Sequence, residues 1–95
     1  MHPADIKASL NKRGKSLTSM AVQTNVSLSL VYQVVNSLRR TDRIRLAIAL
    51  AISLPIDAIW DDEEAGPQHR LYLNIDPAYR EMAESCDLSR VAVAS

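Results

Sequence analysis

Phenylalanine is absent from this 95-residue chain, and aromatic residues make up only 4% of it. Its core must therefore be aliphatic, built from Ile, Leu, Val and Ala, a palette that suits small packed helices. There is one cysteine, Cys86, so no internal disulfide can form and the chain suits a reducing cytoplasm. Cys86 reads as a small, partly buried apolar residue and not as a redox centre. Only two glycines occur, Gly14 and Gly66, which excludes a Gly-rich phosphate loop. The two histidines, His2 and His69, are isolated, and no nucleophile has a plausible base nearby in the sequence. No metal cluster and no cofactor site are expected, and an enzyme is not expected either. The longest apolar stretch, Ile44–Ile56, is interrupted by Arg45 and Pro55 and is too short to span a bilayer. Neither a signal peptide nor a membrane partner is expected.

Net charge is also lacking, but zero is the sum of two unlike halves. Residues 1–60 hold eight Lys/Arg (Lys7, Lys12, Arg13, Lys15, Arg39, Arg40, Arg43, Arg45) against Asp5, Asp42 and Asp57, a balance of +5. Residues 61–95 hold three arginines and eight acids, a balance of −5. The split suggests a nucleic-acid-binding part followed by an acidic appendage.

What the chain does have is the stretch Ser16–Asn36, SLTSMAVQTNVSLSLVYQVVN. It reads as two short helices joined by a tight turn. Ser16 can cap the first, and Ala21 leaves room for a crossing helix. Asn25 tolerates the left-handed conformation and can redirect the chain, with Val26 as an apolar plug. Ser27 can cap the second helix, in which Val31, Val34 and Leu38 recur at helical spacing as the buried stripe. Leu30 flanks that stripe on one side, Val35 and Leu28 on the other. The opposite face carries Ser29, Tyr32, Gln33 and Asn36, and no charge falls between Ser27 and Leu38. Ordinary solvated helix faces carry Lys and Glu. Amides can bond adenine edges in a bidentate manner, Ser can bond several bases, and Leu28 suits a thymine methyl. The pattern points to a helix that reads DNA in the major groove.

The rest of the chain supports that element. Pro3–Arg13 reads as a first helix with Ile6 and Leu10 buried, stopped by Gly14, and His2 as a terminal residue that ligates nothing. Thr41 or Asp42 can cap a helix over Ile44–Ser53, apolar enough to be buried on more than one side or to form part of a subunit contact. Ile56, Ile59 and Trp60 follow as a short last helix closing the core, Trp60 as a core cap and not a base-stacking residue. Asp61–Glu64, then Gly66 and Pro67, mark a domain boundary. Arg70–Ile75 alternates, with Leu71, Leu73 and Ile75 on one side, and is expected to be a strand paired with its copy in a second subunit. Asp76-Pro77 starts a helix to Ser85, and Asp87–Ser95 begins another turn or stays loose. The spacing of Met82-Ala83, Asp87-Leu88-Ser89-Arg90 and Val93 resembles the first element by chance.

With these residues in view, the sequence resembles the Ner-like family of small phage and prophage regulators, within the lambda-repressor-like class. The matching pieces are His2–Lys7, Lys12-Arg13-Gly14 with Ser16-Leu17, the helix-turn-helix, and Ala47–Trp60 with its closing Ile59-Trp60. Asn25 stands where such turns usually carry Gly, and residues 66–95 have no counterpart. The resemblance implies an all-α, four- to five-helix domain over residues 1–62 that binds operator DNA, often as a symmetric pair, and represses early phage transcription. Residues 63–95 then form an acidic C-terminal extension, a strand plus a helix, for dimerisation or partner binding.

The expected function is a cytoplasmic, sequence-specific regulator of transcription, a repressor bound as a homodimer to a palindromic operator in double-stranded DNA. Leu28, Ser29, Tyr32, Gln33 and Asn36 are expected at bases. Lys12, Lys15, Ser16, Thr18, Arg39, Arg40 and Arg43 are expected at phosphates, which give affinity without sequence information. The alternative is a protein-interaction module, antitoxin-like or a co-regulator, whose extension binds a partner. A related expectation is that residues 61–64 fold back on the basic face and lower DNA affinity.

Overall fold

The computed structural model describes the backbone of residues 1–94 and the side chains of residues 1–85; among the described residues every regular element is an α-helix. The order is α1 (Pro3–Lys12), α2 (Leu17–Thr24), α3 (Leu28–Val35), α4 (Asp42–Ile52), α5 (Ile56–Ile59), α6 (Ala65–Ile75) and α7 (Pro77–Ala94). The expected all-α architecture, with five helices before residue 62, is what the chain adopts.

Local chemistry sets the ends of these helices. Backbone N–H groups in a first turn have no helical partner, so a side chain must accept from them. His2 does this for α1, its Nδ1 accepting from the Ala4 amide at 3.0 Å. Ser16 accepts from the Ser19 amide at 3.1 Å while the Ser19 hydroxyl accepts from the Ser16 amide at 2.8 Å, a reciprocal cap. Ser27 accepts from the Leu30 amide at 3.2 Å. Thr41 occupies the cap position of α4, but its side chain makes no capping bond. At the other ends, α1 to α4 each close on a left-handed residue: Gly14 (φ 70°), Asn25 (58°), Ser37 (61°) and Ser53 (59°). Each lets a following amide reach back to an orphaned carbonyl, Lys15 to Leu10 at 2.9 Å, Val26 to Ala21 at 3.0 Å, Leu38 to Gln33 at 2.8 Å and Leu54 to Ala49 at 3.1 Å.

The core lies around α4, which packs against α1, α2, α3, α5 and α7. Ile44, Ile48, Ala49, Ala51 and Ile52 are all buried, so α4 is covered on more than one side, as its composition suggests. Ile6, Leu10, Met20, Ala21, Val31, Val34, Val35, Ile56, Ile59, Trp60, Ala65 and Tyr79 complete the cluster. Trp60 caps the core as expected, its indole N–H donating to the Val34 carbonyl at 3.3 Å. Leu38 is not part of the α3 stripe. It is 75% exposed, because Ser37 turns the chain out of the helix first, and Val35 takes the buried place instead.

The expected strand at Arg70–Ile75 is helical, the second half of α6. Alternation of Leu71, Leu73 and Ile75 fits a strand, but a lone strand leaves its backbone polar groups unpaired, whereas a helix satisfies its own. Helical spacing also brings Gln68, His69 and Tyr72 inward. Pro67 sits in the first turn, where its missing N–H costs nothing. Inter-subunit strand pairing through this segment therefore has no basis. Asp76 caps α7 as expected, accepting from the Tyr79 amide at 3.1 Å. Tyr79, fully buried, accepts from the Ile56 amide at 2.8 Å through its hydroxyl and meets His69 Nδ1 at 2.6 Å, tying α7 and α6 to the start of α5. The α7 backbone continues to Ala94, past the expected end at Ser85. The reading of Cys86 falls outside the described side chains. Among the described residues, no helix is long and apolar enough to cross a membrane.

Candidate nucleic-acid interface

The helix-turn-helix is held from behind. Val31, Val34 and Val35 sink α3 into the core, and Met20 and Ala21 do the same for α2. Thr24 closes the turn, its hydroxyl donating to the Met20 carbonyl at 2.7 Å. What α3 leaves outward is the uncharged side expected at bases. Leu28 and Tyr32 are 45% and 47% exposed, Ser29 is exposed, and Gln33 and Asn36 are half-buried.

Their hydrogen bonds show what each group can still offer. Gln33 Nε2 lies 3.4 Å from Ser29 Oγ, a long bond that a stronger partner can displace. Asn36, at the C-terminal end of α3, donates through Nδ2 to the Tyr32 carbonyl at 2.8 Å. One of its amide hydrogens is thus engaged in capping, leaving the second hydrogen and the carbonyl oxygen for an adenine edge.

The residues expected at phosphates surround this side unevenly. Lys12 is exposed at the end of α1, Lys15 is half-buried, and Ser16 and Thr18 are exposed at the start of α2. Arg39 and Arg40 are exposed in the loop after α3. Arg43 is exposed but also donates through Nη2 to the Thr24 carbonyl at 2.7 Å, serving the end of α2. Arg40 is drawn toward the acidic segment: Nη1 lies 3.4 Å from Glu64 Oε1 and Nε 3.9 Å from Asp62 Oδ2. Residues 62 and 64 do fold back onto one arginine of the basic loop.

Two features had no sequence signal. Lys7, from α1, donates to the Tyr32 hydroxyl at 2.8 Å and lies 4.4 Å from its ring centroid. Their separation of 25 positions hides this neighbourhood from any spacing rule. The other is Arg45, fully buried within the apolar α4. Both Nη atoms bond the Asp62 carboxylate, Nη1 at 3.1 Å to Oδ1 and Nη2 to Oδ2. Nη1 also donates to Gln68 Oε1 at 3.0 Å, and Gln68 in turn bonds Asp42. The guanidinium lies 4.8 Å from the Trp60 ring. Asp62 also accepts from the Glu64 and Ala65 amides at 3.2 and 3.1 Å, capping α6. The Arg45 hydrogen bonds hold the Asp62 carboxyl below the usual carboxylate range, against the opposing effect of burial. This latch joins α4, the acidic segment and α6 directly behind Arg40.

Among the described residues, no three His, Cys, Asp or Glu side chains gather as metal ligands. A buried helical core presenting a capped helix-turn-helix, its second helix uncharged on the outer side and flanked by Lys and Arg, defines a DNA-binding domain of the helix-turn-helix class. Comparison with known families agrees. A family profile described as winged helix-turn-helix DNA-binding matches residues 1–67, and the chain belongs to that family. A wing is a β-hairpin, and none occurs among the described residues; α4, α5 and α6 follow the helix-turn-helix directly. No curated protein and no solved structure matches the chain.

Proposed function

We propose that this protein is a sequence-specific regulator of transcription that represses by occupying an operator, as Ner-like phage and prophage regulators do. The observation that carries this reading is the exposed, uncharged side of α3, with Lys and Arg only around it. In this reading α3 enters the major groove. Leu28, Ser29, Tyr32, Gln33 and Asn36 meet base edges, and Lys12, Lys15, Ser16, Thr18, Arg39, Arg40 and Arg43 hold phosphates. Residues 1–62 make the DNA contacts, and residues 63–95 are the acidic extension that braces them. One domain of this size reads too few base pairs for genomic specificity, so the chain acts as a homodimer on a palindrome in the cytoplasm. It needs no cofactor and carries out no catalysis.

Titration of a duplex selected by this protein, and of a random duplex, tests the assignment of roles. Gln33→Ala and Asn36→Ala each cost about 1–3 kcal/mol on the selected duplex and little on the random one. Arg39→Ala weakens both alike and lowers the salt dependence by about one phosphate contact. Equal behaviour of all three variants on both duplexes refutes the division between base-reading and phosphate-holding residues.

A second reading, a module that binds a protein partner through residues 63–95, draws on Leu71 and Ile75. They lie one turn apart on α6 and are 48% and 62% exposed. Leu71→Asp with Ile75→Asp separates the two. Loss of a partner or of the dimer with monomeric DNA contacts intact favours a docking role for α6, and an unchanged assembly excludes it.

A further inference from the structure

The Lys7–Tyr32 contact has a chemical consequence for which base is read. Both residues stand on rigid supports: Ile6 and Leu10 bury α1 on either side of Lys7, and Val31 and Val34 bury α3 around Tyr32. The ammonium sits 2.8 Å from the phenolic oxygen and 4.4 Å from the ring centroid, so it lies beside the hydroxyl while still within cation–π reach. A phenol has one hydrogen to give and lone pairs to accept with; an ammonium has three hydrogens and no lone pair. Lys7 takes a lone pair of Tyr32, and its positive charge turns the hydroxyl hydrogen away from itself. The two side chains therefore present two adjacent donors beside the same exposed edge of α3.

The four bases answer such a pair differently. In the major groove guanine offers two acceptors, N7 and O6. Adenine offers an acceptor and a donor, thymine one acceptor and a methyl group, and cytosine a donor. We propose that Lys7 and Tyr32 act together as a donor pair that selects guanine, giving hydrogen bonds to its N7 and O6. The proposal rests on α3 being the groove-entering helix, and it adds a base and a residue from α1 to that reading. It also separates the work along α3: Gln33 and Asn36, with amides that both give and accept, suit adenine, while the lysine-bonded tyrosine suits guanine.

The test uses the full chain and selection from random duplex DNA, repeated with Lys7→Met, Tyr32→Phe and the double variant. Tyr32→Phe keeps the ring and removes only the hydroxyl, and Lys7→Met keeps most of the stem. Thermal melting confirms folding of each, and if Lys7→Met melts early, Tyr32→Phe alone decides. The wild-type motif is expected to contain a guanine whose preference over adenine falls roughly 5- to 150-fold in either variant, the equivalent of one good bidentate contact. The double variant loses little more than either single one, because the pair acts as a unit. Tyr32→Phe, which removes no charge, leaves the salt dependence unchanged. Three results overturn the proposal: no guanine in the wild-type motif, retention of that guanine by Tyr32→Phe, or uniform weakening of all sequences by Lys7→Met with an unaltered motif, which makes Lys7 a phosphate contact. A wild-type chain that enriches no motif overturns it together with the groove reading beneath it, and that outcome is distinct from the other three.

Discussion

Asp62→Ala strikes the point where the fold and the interface meet. Arg45 is fully buried and spends both Nη atoms on Asp62, while its Nε has no partner in reach. Removing the carboxylate leaves a buried cation with Gln68 and the Trp60 ring as its remaining company. Breaking a buried pair from one side costs about 3–5 kcal/mol, and loss of the α6 cap lies within that range. For a chain this small, about 4 kcal/mol lowers the melting temperature by roughly 20 °C and removes much of the total stability. Urea unfolding followed by circular dichroism reads the loss. Arg45→Met with Asp62→Leu is expected to recover most of it, because the penalty comes from the stranded charge and not from the missing attraction. The pH dependence carries a sign that follows from the same bonds. The Asp62 carboxyl titrates below its unfolded value near 3.9, so the unfolded chain binds the proton more readily. Its stabilising contribution is complete above about pH 4 and disappears as pH falls through the lowered folded value. Asp62→Asn flattens that acid limb. A loss under about 1 kcal/mol for Asp62→Ala, or an acid limb unchanged in Asp62→Asn, refutes the latch as described.

Two other variants test separate links. Glu64→Gln releases one partner of Arg40, an exposed pair worth about 0.2–1 kcal/mol, so DNA affinity should rise by up to about fivefold at low salt and converge with wild type at high salt. An unchanged low-salt affinity means that the acidic segment does not compete with phosphate. Ser37→Gly should stabilise the fold by about 0.5–1 kcal/mol in thermal melting, since an exposed left-handed serine is strained where glycine is not, whereas a loss of stability would refute strain at the end of α3.

The parts of the fold that were legible in advance are local. Ser16, Asn25, Ser27 and Gly14 signal their helix ends because capping and left-handed turns depend on one residue and its neighbours. Ser37 is the counterexample. Serine is an uncommon left-handed residue, so helical spacing alone runs α3 on to Leu38, which the structure leaves outside the buried stripe. Helix α6 misled for another reason: its inward groups, Gln68 and His69, are polar, and the apolar residues that remain happen to alternate. Arg45 enters the sequence reading only as part of the basic balance of residues 1–60, because its partner lies 17 positions away in a run of acids. The uncharged side of α3 is legible as a pattern, and the structure leaves Leu28, Ser29 and Tyr32 exposed and Gln33 and Asn36 half-buried. The lysine that joins it from α1 depends on how two helices cross, which no periodicity encodes.

Base reading by α3 is tested most directly by selection of binding sites from random duplex DNA by the full chain, with sequencing of the bound pool. One enriched motif is expected, made of two inverted half-sites about 10 base pairs from centre to centre or a multiple of that. A bound pool with no enriched sequence at any salt concentration would contradict base reading, because the exposed side of α3 would then hold DNA, if at all, without reading it.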